Sequence, residues 1–190
     1  MTPETITDFW LTEVGPKGWY NSTPALDADI RARFATTWQA VQTGAHADWA
    51  ATAEGALALL IVTDQFARNM FRDEARSFAT DALALRLADA AIAAGHDLAT
   101  PAPARQFFYL PFMHAEDMAA QARGIELFAE RMPGDNLRHA RAHAAVIARF
   151  GRFPWRNAAL GRTDTAEESA FLASGGYGAA LREIPPIAAP

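Results

Sequence analysis

The chain has 190 residues, a formal net charge of −5, 51% hydrophobic residues and no cysteine. This length buries a core without covalent staples, and the absence of cysteine excludes thiol catalysis, cysteine-ligated zinc, iron–sulfur clusters and disulfides. The acidic balance argues against general nucleic-acid binding, which rests on neutralising phosphates.

Alanine and leucine dominate and β-branched runs are nearly absent, so the expected class is all-α. The N-terminus, Met1-Thr2-Pro3-Glu4-Thr5-Ile6, has no basic start and no apolar core. No stretch approaches the roughly 20 apolar residues of a membrane span. The expectation is a soluble, cytoplasmic protein with no membrane partner.

In chain order, a helix is predicted over about residues 4–14, carrying Ile6, Phe9 and Trp10. A loop with Gly15, Pro16, Gly18 and Pro24 follows. Asp27 reads as the N-cap of a helix to about 43, with Ile30, Phe34, Trp38 and Val41 on one face. The next helix, about 52–70, is apolar nearly all round and reads as a central element. Another spans about 77–94 and stops at Gly95. Pro101 and Pro103 then open a long helical stretch to about 132, with a kink or break at Pro111. After the turn Met132-Pro133-Gly134, Asp135 or Asn136 caps a helix to about 150. Pro154 fits the first turn of a short helix, and Thr165 with Glu168 reads as the capping box of a last one. About eight antiparallel helices with short connections read as stacked helical hairpins. One helical domain is expected over 1–174, with an irregular tail over 175–190.

Three of these helices carry an apolar stripe interrupted by ionisable groups. Leu57, Ile61, Asp64, Arg68 and Phe71 recur at helical spacing, as do Leu110, His114, Asp117, Gln121, Ile125, Phe128 and Met132, and then Ala140, His143, Ile147 and Phe150. Buried charge is costly unless paired, so these groups are expected to meet one another or a ligand. A cationic segment adds to this pattern. Between Asp135 and Asp164 there is no acid, yet Arg138, Arg141, Arg149, Arg152, Arg156 and Arg162 lie there with His139 and His143. Arginine makes planar, bidentate pairs with carboxylate or phosphate.

Two segments echo each other: Asp64-Gln65-Phe66-Ala67-Arg68-Asn69 and Phe150-Gly151-Arg152-Phe153-Pro154-Trp155-Arg156-Asn157. An Arg-Asn pair can grip an anion or tie down a helix end. With Phe78-Ala79-Thr80-Asp81 and the run from Tyr109 to Asp117, these segments make the chain resemble the bacterial family known as domain of unknown function 924. The resemblance runs from Phe9-Trp10 to about Leu172. It implies an αα superhelix similar to tetratricopeptide repeats, and it brings no established activity. The family pattern usually has proline where this chain has Ala67, and histidine where it has Trp155, so an essential imidazole at that second position is not expected here. The family's recurring polar residues fall on Asp64, Arg68, Asn69, Asp81, His114, Glu116, Asp117, His143, Arg149, Arg152, Arg156 and Asn157.

Asp64 and Arg68 have the spacing of an intrahelical ion pair. His114 and Asp117, three apart, could form a carboxylate-oriented imidazole, with His143 as a second candidate base. His139 and His143 have the i, i+4 spacing of two zinc ligands, but no third ligand completes the pattern and no metal or cofactor is expected. Three readings follow. The favoured one is a binding module in which Asp64, Arg68, Asn69, Glu116, Arg149, Arg152, Arg156 and Asn157 line a pocket for a small anionic molecule or a carboxylate-bearing peptide. The second is a hydrolase- or lyase-type enzyme using His114 or His143 as base, oriented by Asp117 or Asp64, with the arginines stabilising negative charge. The third is a scaffold whose ionic network locks the helices, with assembly into a homodimer or with another protein.

Overall fold

The computed structural model describes residues 1–187 and contains helices but no strands among them. It falls into two compact units, Met1–Pro111 and the chain from Phe112 on.

The first unit is built around aromatic side chains. Helix α1 (Pro3–Asp8) starts on Thr2, whose hydroxyl accepts from the Thr5 N–H, with Pro3 in the first turn where its missing donor costs nothing. It runs directly into a π-helical turn, Phe9–Val14, and then α2 (Gly15–Trp19). Helix α3 (Pro24–Gln42) is capped by Thr23, four residues before the expected Asp27, because Pro24 pre-sets the helical φ of the first turn. Its buried face is the predicted Ile30, Phe34, Trp38 and Val41. Helix α4 (Ala53–Leu60) is buried from Gly55 to Leu60 and passes into a second π-helical turn, Ile61–Phe66, and α5 (Ala67–Met70). Phe34 lies 4.9 Å from Phe9 and 4.6 Å from Phe66, centroid to centroid, and Trp10 meets Phe66 edge-on at 5.5 Å. Each fully buried ring of this kind stabilises by about 1.5–3 kcal/mol. Helices α6 (Asp81–Ala93) and α7 (His96–Ala99) complete the unit, with α6 against α4.

The long helical stretch to about 132, expected to kink or break at Pro111, is broken on either side of that residue. A 3₁₀ turn, Ala104–Phe108, precedes α8 (Leu110–His114), and the chain then turns out to an extended Asp117 before α9 (Met118–Arg131). Pro111 sits in the first turn of α8, where it is tolerated. Helices α9 and α10 (Asp135–Phe150) pack as a hairpin, and Gly151, in the left-handed region at φ 69°, closes α10. No side chain caps the start of α10, whose preceding residue is Gly134, so neither Asp135 nor Asn136 has the expected capping role. A 3₁₀ turn follows at Pro154–Arg156, and then α11 (Ala166–Ala173) with the predicted Thr165/Glu168 capping box.

The expectation of an irregular tail over 175–190 is corrected: Tyr177–Glu183 forms α12, packed on α10. Its Ala180 joins Val146, Ile147, Phe153 and Phe171 in the core of the second unit. Tertiary burial therefore overrides the local glycine and proline signals. The last three positions of that predicted tail lie outside the described residues. Among the described residues no helix is long and apolar enough to cross a membrane.

Candidate functional site

The predicted site residues divide between the units. In the first, Asp64 lies within the π-helical turn and is 1% exposed. Its Oδ2 accepts from the Gln65 amide at 2.6 Å, and its Oδ1 is 3.6 Å from Arg68 Nη2. The same Nη2 is only 2.8 Å from Asp81 Oδ1, while Nη1 donates to the Ser77 carbonyl at 2.8 Å. Arg68 is thus a clamp across the segment 64–81 more than an intrahelical partner of Asp64. Asn69 donates to Ser22 Oγ and Asp27 Oδ1, both at 2.8 Å, and Asp27 also takes Arg72 Nε at 3.0 Å. Trp38 Nε1 donates to Thr80 Oγ1, and Thr80 Oγ1 donates to the Thr63 carbonyl at 2.5 Å, inside the π-helical turn. These contacts bind the helix ends of the first unit together. A separate groove of about 360 Å³, lined by Asp8, Leu11, Glu54 and Leu57 among others, contains none of the predicted site residues.

In the second unit most of the predicted anion-gripping arginines already hold carboxylates. Arg152 makes a fork to Glu168 at 2.6 and 2.8 Å, and Arg149 meets Glu167 at 2.8 Å. Arg162 grips Glu116 through both oxygens, and Glu116 also accepts from the Phe153 backbone N–H at 2.9 Å. The Arg152 guanidinium, with the Thr165 N–H, holds the Glu168 carboxyl down to about 2. Asn157 donates to Asp164 at 2.7 Å. Together these pairs pin the loop between α10 and α11.

Asp117 does not orient His114 through a shared helix face, because α8 ends at His114 and Asp117 is extended. Its carboxylate is the N-cap of α9, accepting from Ala120 N at 2.8 Å. The two-histidine zinc pattern also dissolves. His139 is engaged by the Tyr177 hydroxyl at Nδ1 and by Asp135 at Nε2, 3.3 Å away. His143 turns its Nδ1 to the His139 carbonyl at 2.9 Å. Among the described residues no group of three or more potential ligands could hold a metal.

What remains is His143. A carbonyl only accepts, so Nδ1 carries the hydrogen, and in the neutral ring Nε2 presents a lone pair. Nε2 has no hydrogen-bond partner among the described residues, and the residue is only partly covered. Burial pushes the imidazole down to about 3; the hydrogen bond to the His139 carbonyl opposes this, and the nearby Arg156 charge adds to it. Aromatic rings surround it: Tyr177 at 4.7 Å, Phe153 at 5.4 Å, Trp155 at 6.0 Å and the His114 ring at 6.3 Å. Arg156, 6% exposed, donates to the His114 carbonyl at 2.9 Å and lies over Phe153 at 4.5 Å.

Of the side chains around His143, the sequence singled out His114 and Arg156 but not Tyr177, whose place in the wall depends on α12. The signal was available in Tyr177, Ala180, Leu181 and Ile184, an i, i+3, i+4, i+7 pattern.

No curated protein matches the chain. Among solved structures it is similar to a protein of unknown function from Agrobacterium tumefaciens, ATU0120, at 43% identity and a TM-score of 0.87, covering 91% of this chain and 97% of that one. The model of the family described as bacterial protein of unknown function, DUF924, matches residues 6–176, and with the motifs at Asp64–Asn69 and Phe150–Asn157 inside that span, the chain belongs to this family.

Proposed function

We propose that the second unit binds a small anionic molecule that also carries a hydrogen-bond donor, such as a hydroxy- or amino-carboxylate, at His143. One observation carries this reading: a neutral imidazole, fixed by the His139 carbonyl, offers Nε2 as an acceptor in an aromatic wall beside Arg156. The guanidinium supplies the positive field for the anion, and Nε2 takes the donor.

Binding is favoured over acid–base catalysis by magnitude. An efficient general base titrates near the working pH, and an imidazole pushed down to about 3 is a weak one. Asp117, the expected orienting carboxylate, is committed to a helix cap.

The experiment is a thermal-shift screen of small hydroxy-, amino- and keto-carboxylates and phosphate esters, with calorimetry on each hit. A hydroxy- or amino-carboxylate should bind, and His143→Phe should weaken it about tenfold, the loss of one hydrogen bond of about 1–2 kcal/mol. A matched keto acid, lacking the donor, should bind the wild type as weakly as the hydroxy acid binds the variant. Absence of any binding anion, or equal affinity in His143→Phe, overturns the reading.

A further inference from the structure

We infer that α12 is a lid over the His143 site, latched by Arg138 and Tyr177, so that ligand access is governed by release of this helix. The inference rests on the binding reading above for its purpose, but its geometry is independent of that reading.

A helix of seven residues does not persist alone in water, so α12 exists through what holds it. Of its residues only Ala180 is buried, at 7% exposed. Two side chains from one face of α10 provide the rest. Arg138 donates from Nε to the Ile184 carbonyl at 2.8 Å and from Nη2 to the Leu181 carbonyl at 2.9 Å, the latter also accepting from the Ile184 N–H at 3.2 Å, so one guanidinium holds the C-terminal end of α12. At its other end the Tyr177 hydroxyl bonds His139 Nδ1, and Asp135 stands 3.3 Å from the opposite ring nitrogen. His139 therefore accepts from the phenol and donates to the carboxylate.

The lid carries a group that covers the site. The Tyr177 ring packs on His143 at 4.7 Å and meets Trp155 edge-on at 5.6 Å. Burial, and then the Asp135 charge, push its phenol up to about 12, so it stays a neutral donor to His139. The element also has a hinge. Gly175 and Gly176, immediately before α12, both sit at positive φ, 111° and 53°, where other residues are strained. Little burial, two side-chain latches and a paired-glycine hinge are the marks of a segment that opens locally without global unfolding.

The test uses the full chain and diethyl pyrocarbonate, which acylates neutral imidazole nitrogen, with modified histidines mapped by fragmentation. Backbone hydrogen exchange is followed in parallel. In the wild type, α12 amides should exchange at least about tenfold faster than those of α10. Arg138→Ala should raise the acylation rate of His143 about tenfold while α10 keeps its exchange protection. Tyr177→Phe, which removes only the hydroxyl latch and keeps the ring, should raise it several-fold and decides the matter if Arg138→Ala fails to fold. An unchanged His143 rate in a folded latch variant, or α12 and α10 exchanging together, overturns the lid. A lid that opens in a protein that binds no anion would leave the lid standing and remove the binding reading, so the two failures are distinct.

Discussion

At the scale of the single residue, burial and capping decide what each ionisable group can do. His143 is pushed from 6.5 down to about 3 in the folded chain. The unfolded chain therefore binds a proton that the native state refuses, and the stability this group contributes is complete above about pH 6.5 and is lost as pH falls towards 3. Glu168 is also depressed, from 4.5 to about 2, so its contribution is lost only below pH 4.5. Between pH 7 and 5 the two are separable. In urea titrations wild type should lose stability with falling pH more steeply than His143→Phe, by up to about 1.4 kcal/mol per pH unit; parallel curves would place the imidazole in contact with bulk water. Asp117 gives a complementary case. Because its carboxylate caps α9, Asp117→Ala should cost about 1 kcal/mol of stability in the same titration. It should leave ligand affinity unchanged, and a variant that loses affinity at full stability would return Asp117 to the site.

At the scale of the element, what was legible in the sequence was what periodicity encodes. The face Ile30, Phe34, Trp38, Val41 of α3 and the Thr165/Glu168 box of α11 stand where the spacing put them. The π-helical turns at Phe9–Val14 and Ile61–Phe66 were not legible, since one extra residue per turn barely disturbs an apolar pattern. The stripe through His114, Asp117 and Gln121 misled because it continued in register across a break in the backbone. Gln121 is instead a bracket over that break, donating to the Met113 and Ala115 carbonyls, both at 2.7 Å. The arginine cluster was legible as charge but not as pairing, for its partners Glu116, Glu167 and Glu168 lie 16 or more residues away in sequence. The entry into α4 shows a constraint that pattern alone cannot display. A Cβ on Gly55 would lie 2.1 Å from the Trp49 carbonyl oxygen, a backbone atom that cannot swing aside. Gly55→Ala, ordinarily favourable in a helix, should here destabilise by about 1–3 kcal/mol through overpacking. Thermal unfolding checks the sign: a raised melting temperature would mean that the 3₁₀ turn at Ala47–Ala51 yields.

At the scale of the whole molecule, charge is partitioned more sharply than the total suggests. From Phe112 on, nine acids are matched by nine arginines, whereas Met1–Pro111 has thirteen acids against eight basic residues, so the entire −5 belongs to the first unit. An anion approaching His143 therefore meets two fields of opposite sign and different reach. On the proposed reading, the net charge of the chain repels it at long range, and the Arg156 guanidinium attracts it at short range. Salt separates them, because the screening length shrinks from about 30 Å at 0.01 M to about 10 Å at 0.1 M and about 3 Å at 1 M. The long-range repulsion should be screened first. The affinity of an anionic ligand should then hold or rise slightly up to about 0.1 M salt and fall several-fold towards 1 M, as the contact attraction weakens in turn. Calorimetric titrations across that range test this directly, with the uncharged amide of the same ligand as the control that should show neither limb. A constant affinity for the anion at all salt concentrations would remove Arg156 from its site and leave His143 with a neutral partner.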